Sequence, residues 1–320
     1  MPLSSRLPLS LRRGFTLVEI LCAATIALLV MAVVLGVTIQ AANAQRSTGA
    51  KIGSFQRARA AFDILAQTLG QATLNTTLAY DNAAAPTAHI RSSDLQFISG
   101  KTLVPSQVTH AVFFQAPLGY SSQSSYALLG GALNACGFFI QYGPDPSRPS
   151  FLERLGATRP VVARRFRLMQ FLQPTENFAL YDASAAGNTS WFSSALAANS
   201  HEIADDIIAL VILPRDQSAA PLVSDYEYDS RAGAAVRPQP VTAHQLPPLV
   251  EIVLVALDET SAQQLGDTKE APDVGLAGLF VSASRLEDDL RVLGLRLAER
   301  HLTYRVFRTT LSLPGAKWSL

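Results

Sequence analysis

The chain has 320 residues, 48% of them hydrophobic and only 16% charged, against about 25% charged in an ordinary soluble domain. That length accommodates one large domain or two smaller ones, and so apolar a composition excludes a disordered chain. The formal net charge is +1, with no block of like charges, so the basic field that nucleic acid requires is missing and a nucleic-acid partner is disfavoured.

In chain order, the first element is an apolar run from Ile20 to Ile39 that contains no charged residue. As a helix it would be about 30 Å long, enough to cross a hydrocarbon core. Glu19 stands at its head and Arg12-Arg13-Gly14-Phe15-Thr16-Leu17-Val18 precede it. A carboxylate at a bilayer centre costs roughly 2.5–3.5 kcal/mol on the insertion scale, so a residue of this kind implies a partner. The arginines before the run place Met1 in the cytoplasm and the bulk of the chain outside. An ordinary secretory signal is a competing reading, with Ala42-Asn43-Ala44 as its cleavage site. Its hydrophobic region would exceed the usual length of about 7–15 residues and would open on a glutamate. An uncleaved single-pass anchor fits the length and the arginines but leaves Gly14-Phe15 and Glu19 unexplained.

The string Arg12-Arg13-Gly14-Phe15-Thr16-Leu17-Val18-Glu19 resembles the class III signal of type IV pilins and type II secretion pseudopilins. That resemblance implies cleavage after Gly14 and methylation of Phe15 by a membrane peptidase. It also implies that Glu19 offsets the N-terminal charge of a neighbouring subunit during assembly. Cutting there removes Arg6, Arg12 and Arg13 and takes the formal charge to −2 (+1 minus 3).

From Ala41 to Tyr80 the pattern continues as an amphipathic helix, with Phe55, Ala58, Phe62, Leu65 and Leu69 at alternating spacings of three and four. Gly36, Gly49 and Gly53 lower helix propensity, and Gly36 marks the expected weak spot. Beyond Asp81 come short apolar or alternating runs that predict strands at Leu95–Ile98, Ala111–Gln115, Gly137–Tyr142, Arg165–Leu172, Ile207–Leu213, Leu249–Leu257 and Tyr304–Leu313. Leu286, Leu290, Leu293 and Leu297 predict a further helix between Ser284 and Arg300. The expected organisation is a leader over 1–14, a transmembrane and assembly helix over 15–40, an amphipathic extension over 41–80 and an α+β domain over 81–320. That domain is a mainly antiparallel sheet against which the long helix packs. Two stretches, 184–200 and 214–248, read as long exposed loops that bury little.

Further blocks carry a closer likeness. They are His110–Tyr120 (HAVFFQAPLGY), Ile207–Pro214 (IIALVILP), Gln245–Ile252 (QLPPLVEI), Tyr304–Thr310 (YRVFRTT) and Gly315–Trp318 (GAKW). Together with the N-terminus they resemble Verru_Chthon cassette protein C, a pilin-like group encoded in clusters of prepilin-like genes. Leu246–Glu251 is also similar, over a short span, to J-type minor pseudopilins. The resemblance implies a pilin-like structural subunit of the inner membrane rather than an enzyme. Its expected partners are the prepilin peptidase and methylase and other pilin-like subunits, in a type IV pilus or type II secretion-like system.

Chemistry-bearing patterns are sparse. The five histidines are scattered, no H-E-x-x-H, G-x-S-x-G or phosphate-loop motif occurs, and no cofactor is expected. Cys22 and Cys136 lie far apart outside any C-x-x-C pattern and are not read as a disulfide. Asp225, Glu227 and Asp229 are weak calcium candidates, against a strand with acids on one face and tyrosines on the other. His201-Glu202 and Asp205-Asp206 read as a solvated loop rather than a metal site. Asn75 and Asn188 match the glycosylation pattern by chance. Two other classes compete with the structural subunit: a membrane-anchored extracytoplasmic enzyme without a recognisable active site, and a surface-binding module using Tyr120, Tyr126, Trp191, Phe192 and Trp318.

Overall fold

A computed structural model describes residues 16–126, 128–144, 164–182, 189–266 and 268–318. The chain divides into two compact units at Gly49/Ala50. The fold is α+β: a long N-terminal helix followed by antiparallel sheets.

Helix α1 runs from Leu17 to Leu69. It is unbroken through Gly36, Gly49 and Gly53, so the expected weak spot at Gly36 is not a break: a single glycine costs about 1 kcal/mol against alanine, too little to interrupt so long a helix. It stops where Gln71 N–H and Ala72 N–H turn back to the Thr68 and Leu69 carbonyls and Thr73 N–H pairs with Gln115 O. In the second unit its buried face is Ser54, Ala58, Ala61, Phe62, Leu65, Thr68 and Leu69; Ala58, Phe62, Leu65 and Leu69 are those the spacing predicts, while Phe55 is half-buried.

Six strands form the larger sheet of that unit: β3 (Ile98–Gly100), β4 (Ala111–Ala116), β5 (Asn134–Gly143), β6 (Arg165–Gln173), β7 (Ser200–Asp205) and β9 (Tyr228–Asp229). They lie in the order β7-β6-β5-β4-β3-β9, with every pairing antiparallel. The smaller sheet has the order β11-β10-β8, from β8 (Ile207–Arg215), β10 (Leu249–Leu257) and β11 (Tyr304–Ser312). A separate hairpin joins β1 (Thr77–Tyr80) to β2 (His89–Ser92). Short helices α2 (Ser190–Ser193), α3 (Leu196–Asn199) and α4 (Glu259–Gln264) and the longer α5 (Leu286–Glu299) complete the unit.

Central strand β10 is buried along nearly its whole length, so it reads as a continuous apolar run rather than an alternating one. Its one charge, Glu251, is 2% exposed and is held between Arg215 of β8, at 2.5 Å, and Arg308 of β11. A buried carboxylate is tolerated there because both neighbouring strands bring a guanidinium to it. Strand β11 turns Phe307 to Phe62 of α1, with ring centroids 5.9 Å apart, and Arg308 to Glu287 of α5 at 2.6 Å. The outer edge of β8 is capped by side chains. Leu210 N–H donates to Thr109 Oγ1 at 2.9 Å and Ile212 N–H to His110 Nδ1 at 3.2 Å. These bonds block an edge that could otherwise pair with another chain.

Both stretches expected to be exposed loops bury large side chains. The described part of 184–200 forms α2 and α3, and Trp191 and Phe192 are among the most buried residues of the molecule. Phe192 stacks on Phe113 at 3.8 Å, and Trp191 Nε1–H donates to Gln96 Oε1 at 2.8 Å. Gly137 lies opposite Phe113 in register, and a side chain there would collide with that ring. In 214–248, Tyr226, Tyr228, Ser230 and Ala243 are buried. The expectation failed because apolar residues spaced too irregularly for a helix or strand can still be collected by a sheet face.

Candidate functional site

Two regions concentrate features beyond packing. The first is the start of α1. Thr16 caps the helix: its Oγ1 accepts from Glu19 N–H at 3.3 Å, while Glu19 Oε2 accepts from Thr16 N–H at 3.5 Å. This reciprocal arrangement is a capping box, with the carboxylate close to the positive end of the helix dipole. The Thr-x-x-Glu spacing was legible in the sequence but was passed over there in favour of a role between subunits. Gly14 and Phe15 lie outside the described residues.

From Leu17 to Ala42 the helix offers 26 residues of high hydropathy with none of that span buried. At 1.5 Å per residue this is about 39 Å, sufficient to cross a bilayer with some tilt. Glu19 is its one charged residue. Thr25 and Thr38 return their hydroxyls to the carbonyls of Cys22 and Val34, at 2.9 and 2.7 Å, so neither presents an unsatisfied donor to a hydrocarbon medium.

The second region is a knot of charges in the globular unit. Asp205 ends β7, and Asp206, with φ +61°, is the single residue leading into β8. Glu259 opens α4. Carboxylate oxygens of these three lie within 4.8 Å of one another. Arg165 of β6 reaches all three, at 3.7 Å to Asp205, 3.1 Å to Asp206 and 2.7 Å to Glu259. Arg57 of α1 adds contacts to Asp205 at 3.8 Å and Glu259 at 3.6 Å. One turn earlier, Ser54 Oγ accepts from Glu259 N–H at 3.3 Å and Lys51 stands 3.6 Å from the buried Asp258. Burial, then the Asp205 charge, pushes Asp206 up to about 7 despite Arg165. The Arg165 hydrogen bond lowers Glu259 and raises the arginine.

The pair Asp205-Asp206 is therefore not in a solvated loop. With Glu259 it forms the one group among the described residues with the spacing to hold a cation, and two guanidiniums already sit on that group. Four separated segments supply the cluster, which is why no local motif announced it.

Asp225, Glu227 and Asp229 each have their own partners. Asp225 Oδ1 accepts from Glu227 N–H at 3.3 Å, Glu227 Oε1 from Lys101 N–H at 2.8 Å, and Asp229 Oδ1 from Gln96 Nε2 and Arg231 N–H, each at 2.9 Å. Tyr226 and Tyr228 between them are buried. Asn75 is likewise engaged, its Oδ1 accepting from Ser93 Oγ at 2.8 Å and Asp94 N–H at 3.0 Å. Of the five aromatics weighed for surface binding, Tyr120 and Tyr126 are exposed, Trp191 and Phe192 are core, and Trp318 donates to Leu246 O at 2.5 Å. Cys136 is buried, which pushes its thiol up to about 12 and leaves it unreactive.

Residues 9–35 match the family model described as the prokaryotic N-terminal methylation motif. No curated protein and no solved structure matches the chain. The N-terminal segment thus carries the signal of pilin-like substrates of prepilin peptidase. With the apolar helix that follows, it points to single-pass membrane anchoring and to a structural subunit.

Proposed function

We propose that the chain is a minor pilin or pseudopilin. In this reading prepilin peptidase cuts between Gly14 and Phe15 and the new N-terminus is methylated. The subunit then assembles with other pilin-like proteins in a type IV pilus or type II secretion-like envelope system. Residues 1–14 are the cytoplasmic leader and the globular unit lies outside the cytoplasmic membrane. Within the pilin-like proteins, the likeness of the C-terminal blocks to Verru_Chthon cassette protein C supports membership of that group.

The observation that carries the reading is the methylation motif over residues 9–35, continuous with a fully exposed apolar helix that holds one carboxylate. Glu19 is the assembly residue of this scheme. Before assembly its carboxylate is occupied by the Thr16 N–H. During assembly it would exchange that partner for the amine of a neighbour, an ion pair that fixes register more than it adds net stability.

Intact-mass and N-terminal analysis of the membrane-extracted protein tests the proposal. A chain beginning at N-methylated Phe15 is the expected result. A chain beginning at Gln45 would mean ordinary export and end the assembly reading. An uncut chain from Met1 would leave a plain anchor and reopen the search for an activity in the globular unit.

A further inference from the structure

The two larger sheets end on β7 and β9, and on β8 and β11. Strand β9 has two residues, β7 has six, and the outer edge of β8 is capped by Thr109 and His110. Strand β11, with nine residues, is the long edge that remains. Its pairing with β10 fixes which groups point outward. Leu313 N–H donates to Pro248 O at 3.0 Å and Asp258 N–H to Thr303 O at 3.1 Å, at the two ends of a register that runs without a shift. Odd-numbered residues of β11 therefore bond to β10, and even-numbered ones turn their N–H and C=O groups away from it. None of the backbone groups of Tyr304, Val306, Arg308, Thr310 and Ser312 has a hydrogen-bond partner among the described residues. Tyr304 is half-buried and the other four are exposed.

The side chains along the edge decide what can pair with it. On the face toward α1, Arg305 lies over the Phe307 ring at 5.9 Å, and Arg59 lies over the adjoining Phe62 ring at 6.0 Å. Arg59 is paired with Asp63 at 3.0 Å, whereas Arg305 has no carboxylate within ion-pair distance among the described residues. On the opposite face Arg308 is compensated by Glu251 and Glu287, and Val306 is 39% exposed. Strand β11 holds no acidic residue. Pairing with a second copy would place the arginines of both copies in one ribbon without a new carboxylate, and like charges across a ribbon are destabilising. The faces of a strand alternate, so a partner strand with carboxylates on one face and apolar side chains on the other would compensate Arg305 and cover Val306 together.

We propose that β11 is a docking edge that takes up an extended segment of a partner protein, one that alternates acidic and apolar residues, as a fourth strand of the smaller sheet. Main-chain hydrogen bonds to Val306, Arg308 and Thr310 hold the segment, and a carboxylate on Arg305 selects it. The edge belongs to the globular unit and takes no part in N-terminal processing, so this inference and the assembly reading fail separately.

The full chain, held in lipid nanodiscs, is titrated with a short end-blocked peptide alternating valine and glutamate, and separately with its valine–lysine counterpart. Backbone amide exchange reads the site. The glutamate peptide should slow exchange at Val306, Arg308 and Thr310 saturably and by at least about tenfold, and the lysine peptide should bind at least about tenfold more weakly. Arg305→Glu, a change at an exposed position that should leave the melting temperature in place, should reverse that preference. Absence of saturable protection along β11 overturns the proposal, because an arginine that serves only to keep strands off an edge would bind neither peptide. Equal binding of the two peptides, or an unchanged preference in Arg305→Glu, overturns it as well. Protection of β11 that rises with protein concentration alone would assign the edge to a second copy and likewise end the proposal.

Discussion

Arg165 compensates Asp206, a carboxylate whose side chain is 2% exposed, and no other guanidinium approaches Asp206 within ion-pair distance among the described residues. Removing one partner of a buried pair costs about 3–5 kcal/mol while the other stays ionised. Burial already holds Asp206 up at about 7, so the full cost applies above that pH and diminishes below it as the carboxyl takes up a proton. Arg165→Met should therefore lower the denaturant midpoint strongly. Arg165→Met combined with Asp206→Asn should recover part of the loss, and a double variant no better than the single would show that the ion pair is not the cause. His110 supplies a pH dependence. Its Nδ1 accepts from Ile212 N–H, its Nε2 faces Phe280 O at 3.3 Å, and its ring lies 4.6 Å from Tyr226. Burial, with a smaller contribution from the Lys101 charge, holds its pKa down at about 4, against 6.5 when unfolded. Between those values the unfolded chain binds a proton that the folded chain refuses. The stabilisation is thus complete above about pH 6.5 and is lost as pH falls towards 4, on the order of 3 kcal/mol in total. Melting temperatures across that range should fall less steeply in His110→Gln than in the unaltered protein.

At the scale of elements, the α2–α3 segment behaves as a plug rather than a loop. Trp191 and Phe192 fill the face of the six-stranded sheet beside Phe113. Trp191→Ala should cost roughly 3–5 kcal/mol, the range for a buried aromatic truncated to alanine. A loss within about 0.5 kcal/mol, typical of a surface change, would return the segment to the class of exposed loops. The longer elements were legible because their periods are long and clean. Strand β10 matches its predicted bounds, Leu249–Leu257, and α5 falls inside the predicted Ser284–Arg300. The helix expected to run to Tyr80 ends at Leu69, and β1 takes its last residues; β9 lies within the Asp225–Asp229 stretch weighed as a strand, and β2 and β7 went unread. These four strands are two to six residues long and mostly exposed or half-buried, so register with neighbours rather than local pattern makes them strands.

For the whole molecule, the division at Gly49/Ala50 separates an apolar helix from a unit with its own core. A change confined to Glu19 should leave the stability of that unit untouched. Glu19→Ala should retain the near-ultraviolet dichroism and melting temperature of the full chain yet fail to co-purify with filament or pseudopilus material. Normal assembly of Glu19→Ala would leave the carboxylate with helix capping alone, worth roughly 1 kcal/mol.

The sequence alone determined the anchor: signal, apolar length and lone carboxylate are all contiguous, and local chemistry needs no fold to be read. It also determined the α+β class, through periodicity. The tertiary structure decided which distant residues meet. Arg57, Arg165, Asp205-Asp206 and Glu259 come from four segments, and the open edge strand β11 meets Phe62 of α1, far away in the chain. Strand pairing makes such sites, and pairing is fixed by the cooperative burial of a whole sheet rather than by any short run of residues.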